Sequence, residues 1–285
     1  MDSNINMVSK KYEILAYCTM AFFSLPIALM FMWLFLTSVS THVIHGVVPA
    51  GFNLENWSFL WRSVNVAGTE LPVVWQATWN TIILAGGLTV LEVAVSTMAG
   101  YALSRMDFPG KKSIFYLVLI LHAFPGILLL IAIFYVLNVL GLIDTLTGVI
   151  LVKLALQVPL SIYIIKGFFD EVPWDVEWSA LVDGCSRFTA WYKIILPLIK
   201  PGIAAIAIFS FISGWSEFLL LYTFIFSQEN STLAIYLLSI IGDFRLVNYG
   251  LLAAVGLFYM LPVLIFFVLT QKYLMKMSMG GVKQV

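Results

Sequence analysis

Six side chains in otherwise apolar stretches of this 285-residue sequence could do chemistry: Glu92, His122, Lys153, Gln157, Trp215 and Glu217. An ionisable group at bilayer depth costs about 2.5–3.5 kcal/mol on insertion scales, so such groups face a bundle interior or a wet cavity and mark pathways. Lys153 and Gln157 are one helical turn apart and share a face. Trp215 and Glu217 set an apolar ring beside a hydrogen-bond acceptor. That combination suits a pyranose, which offers a CH face to stack on and hydroxyls to bond. The positive charge of Lys153 leaves an anionic sugar derivative open as well.

Other chemistries find poor footing. Gly110-Lys111-Lys112-Ser113 imitates the end of a phosphate-binding P-loop, but the glycine required five residues earlier is Arg105. Ser216 could be a nucleophile only with a base from another apolar stretch, and His122 is the sole histidine in one. No HExxH metal pair is present, and Cys18 and Cys185 lie far apart without CxxC spacing. Fifteen basic against fifteen acidic residues give no basic excess for nucleic acid. Neither a metal nor a cofactor is expected in this chain.

The elements that must position these residues are apolar helices. Hydrophobic residues make up 61% of the chain and charged ones 11%, against about 25% charged in soluble domains. Roughly 20 apolar residues cross the hydrocarbon core. Six stretches qualify: 14–39, 80–103, 113–140, 146–169, 201–226 and 249–274. The first contains Pro26 and is followed by no A-x-A site, so it reads as a retained helix rather than a signal peptide. Leu233–Ile241 is too short to span. The expected fold is an all-α membrane protein forming one domain, 1–285, without internal repeats.

Charge sets the orientation. Twelve of the fifteen basic residues fall before the first span, in or flanking the 2–3 and 4–5 links, and at or beyond the end of the last span. By the positive-inside rule both termini are then cytoplasmic. Trp57, Trp61, Trp75 and Trp79 crowd the first link on the opposite side, where indoles favour the membrane interface.

The link at 167–200 is too long to be a mere connector. Pro173 suits the first helical position, with Glu171 and Asp175 near the positive end of the helix dipole. Val172, Val176 and Ala180 form a stripe at spacing four, and Gly184 suits a left-handed C-cap. Ser186 can N-cap a second helix, which must stop before Pro197. A surface-lying amphipathic helix would not place Asp175, Glu177 and Asp183 beside anionic lipid. A cytoplasmic helix–turn–helix for docking another protein fits better.

This link resembles the EAA loop of ABC-importer permeases. Ala180-Leu181-Val182-Asp183-Gly184 gives its core and Ile194-Ile195-Leu196-Pro197 its close, with Trp178-Ser179-Ala180 in place of the usual Glu-Ala-Ala and the acid one position earlier at Glu177. Trp79-Asn80-Thr81, the run from Ala99-Gly100-Tyr101 through Arg105 to Lys111, Phe124-Pro125, and the tail Gly280-Gly281-Val282-Lys283 are similar to the carbohydrate-importing branch. Many sugar permeases also carry Trp-x-Glu-Phe, here Trp215 to Phe218.

The resemblance implies a multi-pass permease of a bacterial or archaeal plasma membrane. It implies a homologous second permease, two ATPase subunits holding ATP and Mg, an extracytoplasmic solute-binding protein and a sugar-type substrate. Glu177, Ala180, Asp183, Gly184 and Pro197 would couple to the ATPase, and Gly280, Gly281, Val282 and Lys283 would touch it. An ion-coupled secondary transporter is the alternative, although such proteins usually show internal repeats.

Overall fold

The computed structural model describes residues 2–44, 48–66, 68–241 and 247–280. Helices dominate: α1 (Asp2–Ser38), α2 (Trp75–Arg105), α3 (Lys111–His122), α4 (Leu130–Val139), α5 (Leu146–Glu171), α6 (Trp174–Val182), α7 (Arg187–Ala190), α8 (Leu196–Leu198), α9 (Lys200–Trp215), α10 (Leu219–Phe224), α11 (Leu233–Ile241) and α12 (Tyr249–Gly280). Among the described residues, four stretches are long and apolar enough to cross a membrane: Tyr12–Ser38, Trp75–Arg105, Leu146–Glu171 and Tyr249–Thr270. The count reaches six if each of two bent pairs is one span.

The first bend corrects the expectation of a continuous third span; the second falls just before the expected fifth span at 201, which is instead interrupted after α9. In the third, α3 ends at His122 and the helix resumes at Gly126 after a 91° bend. Pro125 has no N–H to give and drives the residue before it out of helical geometry. At the second bend, Arg187–Leu198 and α9 meet at 80°, and α9 itself stops at Trp215 before α10 begins at Leu219. Pro197 does not stop its helix as expected. A π-turn over Trp191–Ile195 restarts the ladder, which leaves Pro197 in the first turn of α8, where its missing N–H is not needed.

The all-α expectation also misses two small hairpins in the first link. They pair β1 (His42–Ile44) with β2 (Val48–Ala50) and β3 (Val64–Val66) with β4 (Thr69–Leu71), both antiparallel. Backbone that leaves a helix must find partners elsewhere. In the second hairpin, Gly68 takes φ +87° and donates its N–H to Asn65 Oδ1 at 3.0 Å, closing the turn.

Contacts group the chain into two compact units, residues 1–73 with 237–260 and residues 74–236 with 261–285. The first is centred on Phe59, fully buried, with Trp57 stacked on it at 6.0 Å and Phe258 edge-on at 5.8 Å. Among the described residues, the second holds two apolar clusters. One gathers Leu84, Leu137, Ile150, Leu221 and Phe224, the other Tyr101, Ile165, Phe169, Ile195 and Ile206.

Candidate functional site

The bend in the third span and the break after α9 bring polar groups to one place. Lys153 on α5 lies 2.6 Å from Glu217 Oε2, with the side chains 20% and 8% exposed. Both line a cavity of about 320 Å³ together with His122, Gln157, Leu130 and Leu219. Cavities from about 300 Å³ upward accommodate small ligands. Four of the six residues singled out from the sequence therefore converge. The reason is geometric: α3 ends at His122 instead of continuing, which exposes that end beside α5.

Glu217 does not sit within a continuous fifth helix, as expected, but in the break between α9 and α10. Its Oε1 accepts the N–H of Leu220 at 2.9 Å. One carboxylate therefore both satisfies an orphan donor in the first turn of α10 and meets the lysine. Trp215 lies apart from the cavity lining. It is 2% exposed, with its ring stacked on Phe211 at 5.7 Å, so the ring is not offered to the cavity that Glu217 lines. Aromatic and acid are two residues apart, but the helix ends between them.

Glu92 and Gln157 belong to a buried network. Gln157 Nε2 donates to Glu92 Oε2 at 2.9 Å, Ser161 Oγ donates to Glu92 Oε1, and Ser213 Oγ donates to Gln157 Oε1 at 2.8 Å. This joins α2, α5 and α9. Glu92 is fully buried, with both carboxylate oxygens bonded to side chains of α5. Close contact helps: a Cβ on Gly214 would lie 2.9 Å from Ala85 Cα, so α9 meets α2 backbone to backbone there.

The 167–200 link folds as the sequence leads one to expect in its turn. Gly184 takes φ +85°, its N–H bonds Leu181 O at 3.1 Å, and Cys185 N–H bonds Ala180 O at 3.0 Å. This is the paired bonding of a Schellman cap. Ser186 Oγ then accepts the N–H of Thr189 at 3.2 Å, capping α7. Pro173 stands at the N-cap of α6, one position before the expected one. Ala180 and Glu177 face inward, 5% and 3% exposed. The outward face of α6 carries Trp178, 57% exposed, and Val182, 83% exposed, followed by Asp183 and Gly184. Pro197 is exposed. Gly280 ends α12, while Gly281, Val282 and Lys283 lie outside the described residues.

Sequence reasoning gave no role to several residues that position the site. Asp144 has φ +60°, and its Oδ1 accepts from Phe226 N, Ser227 N and Ser227 Oγ at 2.9–3.0 Å. Those bonds, the Ser227 backbone one foremost, hold its carboxyl below the usual range. They tie the loop before α5 to the chain leaving α10. Asn80 Nδ2 donates to Glu229 O and Ser231 O, both at 2.7 Å, and Thr81 Oγ1 accepts Leu233 N–H at 2.9 Å. The Trp-Asn-Thr motif thus anchors the start of α11 on α2. Ser161 and Ser213 gave no signal, because serine is common in apolar helices.

The polar groups converge on a cavity where the bilayer-length α5 meets the broken spans, an arrangement suited to a permease. Over residues 92–276 the chain matches the binding-protein-dependent transport system inner membrane component family, and it belongs to that family. It is 31% identical over 229 residues to the diacetylchitobiose uptake system permease protein of Streptomyces coelicolor, covering 79% of this chain and 72% of that one. It is 33% identical over 236 residues to the arabinooligosaccharides transport system permease protein of Bacillus subtilis, covering 82% and 80%. Among solved structures, a chain of a bacterial ABC transporter that imports the acidic polysaccharide alginate shares the fold with a TM-score of 0.78. That match has 20% identity over 93% of this chain and 96% of that one.

Proposed function

We propose that this chain is one transmembrane half of an ATP-driven, binding-protein-dependent importer of an uncharged saccharide. It works with a homologous second permease, two ATPase subunits that bind ATP and Mg, and an extracytoplasmic binding protein. Both termini and the α6–α7 hairpin lie on the cytoplasmic side of a bacterial or archaeal plasma membrane. ATP-driven movement of the ATPases shifts α6, and the spans rock to open the cavity alternately to either side.

The observation that carries the substrate reading is the ion pair. A lone Lys153 would favour an anionic sugar, but its charge is matched by Glu217 at 2.6 Å. A cavity of zero net charge with donors and acceptors suits hydroxyls. A second anion would have to displace Glu217, leaving a carboxylate with little access to water. The docking reading rests on α6, whose exposed Trp178 and Val182 form the apolar face a partner groove needs.

The test is uptake into proteoliposomes carrying the assembled complex with its genomically adjacent ATPase and binding protein. The probes are radiolabelled trehalose, cellobiose, maltose and digalacturonate. ATP-dependent uptake of a neutral disaccharide, unaffected by ionophores, is expected. Uptake driven by an ion gradient without ATP would establish the secondary-transporter alternative instead. Preference for digalacturonate would overturn the charge argument alone.

A further inference from the structure

Of the acidic residues Asp175, Glu177 and Asp183 in the α6 hairpin, Glu177 alone is buried. Glu177 is 3% exposed, and its Oε1 accepts the hydroxyl of Tyr101 at 2.6 Å. Its Oε2 lies 3.7 Å from Arg105 Nε, and neither of these two atoms has a hydrogen-bond partner among the described residues. Arg105, 4% exposed, donates through Nη2 to Phe169 O and Val172 O at the end of α5, both at 2.5 Å. Trp174, the first residue of α6, covers its guanidinium at 4.5 Å. Gly100 permits this approach, since a Cβ there would stand 2.5 Å from Ile165 Cγ2. One arginine thus engages the end of α2, the end of α5 and the start of α6.

Apolar contacts tolerate sliding, whereas buried charge-assisted bonds lose their geometry and leave desolvated groups unpaired when they separate. Elements tied this way move together. We propose that Tyr101, Arg105 and Glu177 form an internal strut that delivers displacement of α6 to α2 and α5. Glu177 then acts inward as a positioning residue, not as a contact for the ATPase. This rests on the docking reading of α6, and it separates two jobs on one helix. Trp178 and Val182 hold the ATPase, while Glu177 transmits its motion.

The test uses the assembled complex with a reporter cysteine, Leu219→Cys, in the cavity, and with Cys18 and Cys185 replaced by Ala. N-ethylmaleimide labelling of the reporter is timed with and without ATP. The ATP-dependent change in rate should shrink about 5- to 150-fold in Tyr101→Phe and in Glu177→Gln, the span of ordinary allosteric couplings. ATPase retention and basal ATP hydrolysis should stay normal. The double variant should be no worse than the worse single one, because the residues act as a unit.

An unchanged labelling response in Tyr101→Phe overturns the strut. Loss of the ATPase from normally accumulating Glu177→Gln overturns it too, since that is the signature of a direct contact. Should Glu177→Gln fail to accumulate, Tyr101→Phe, which removes one hydroxyl, decides alone. The docking reading fails differently: the reporter does not respond to ATP even without the strut substitutions, or Trp178→Ala with Val182→Asp still retains the ATPase.

Discussion

Removing either partner of the Lys153–Glu217 pair should destabilise the permease, and by unequal amounts. At 2.6 Å, two unit charges attract with a gross energy of roughly 6 kcal/mol at an effective dielectric near 20. Most of that is offset by desolvation. Fully exposed pairs net about 0–1 kcal/mol, and breaking a buried pair costs about 3–5 kcal/mol because one charge is stranded. Lys153→Met strands a carboxylate that is 8% exposed, and we expect a cost of about 3 kcal/mol. Glu217→Gln strands an ammonium that is 20% exposed on the cavity, where water can reach it. Gln also keeps an acceptor for Leu220 N–H, so a cost of about 1–2 kcal/mol is expected. The double variant strands no charge, and the cycle should show a coupling of about 1.5–2.5 kcal/mol. Denaturant titration of the purified proteins in mixed micelles measures all four corners. A coupling below about 0.5 kcal/mol, or Glu217→Gln costing more than Lys153→Met, would refute the reasoning.

Two further outcomes follow from local geometry. Asp144 has a carboxyl pKa depressed by the N–H groups of Ser227 and Phe226. Its stabilisation is therefore present above the ordinary carboxyl value of about 4 and is lost as pH falls through the lower folded value. Asp144→Ala should flatten the acid limb of a thermal-stability profile, and an unchanged limb would count against the bonds. Gly184 takes φ +85° with open space around it, so only backbone strain opposes substitution. Gly184→Val should speed amide exchange over Trp174–Val182 by weakening the cap by about 1–2 kcal/mol, with Gly184→Asn nearly neutral. Equal exchange in the Val and Asn variants would show that the turn does not need its left-handed residue.

What the sequence determined by itself was whatever local chemistry dictates. An apolar run of about 20 residues crosses hydrocarbon as a helix, which satisfies its backbone groups within the segment, and α2, α5 and α12 contain the expected stretches. The α6–α7 turn was readable because Gly184 and Ser186 act on residues within five positions of themselves. The break at Pro125 was not readable in the same way, because Pro26, Pro159 and Pro262 lie inside the unbroken helices α1, α5 and α12. Only the tertiary structure decided the pairings. Glu177 meets Tyr101 across 76 residues, Asp144 meets Ser227 across 83, and Gln157 meets Glu92 across 65. No periodicity encodes such matches, because each depends on how two helices are rotated and how closely a glycine lets them approach. The fate of Glu217 turned on the same thing. Sequence placed a costly carboxylate within an apolar run, but packing ended the helix there, set Lys153 opposite, and so fixed what that charge can do.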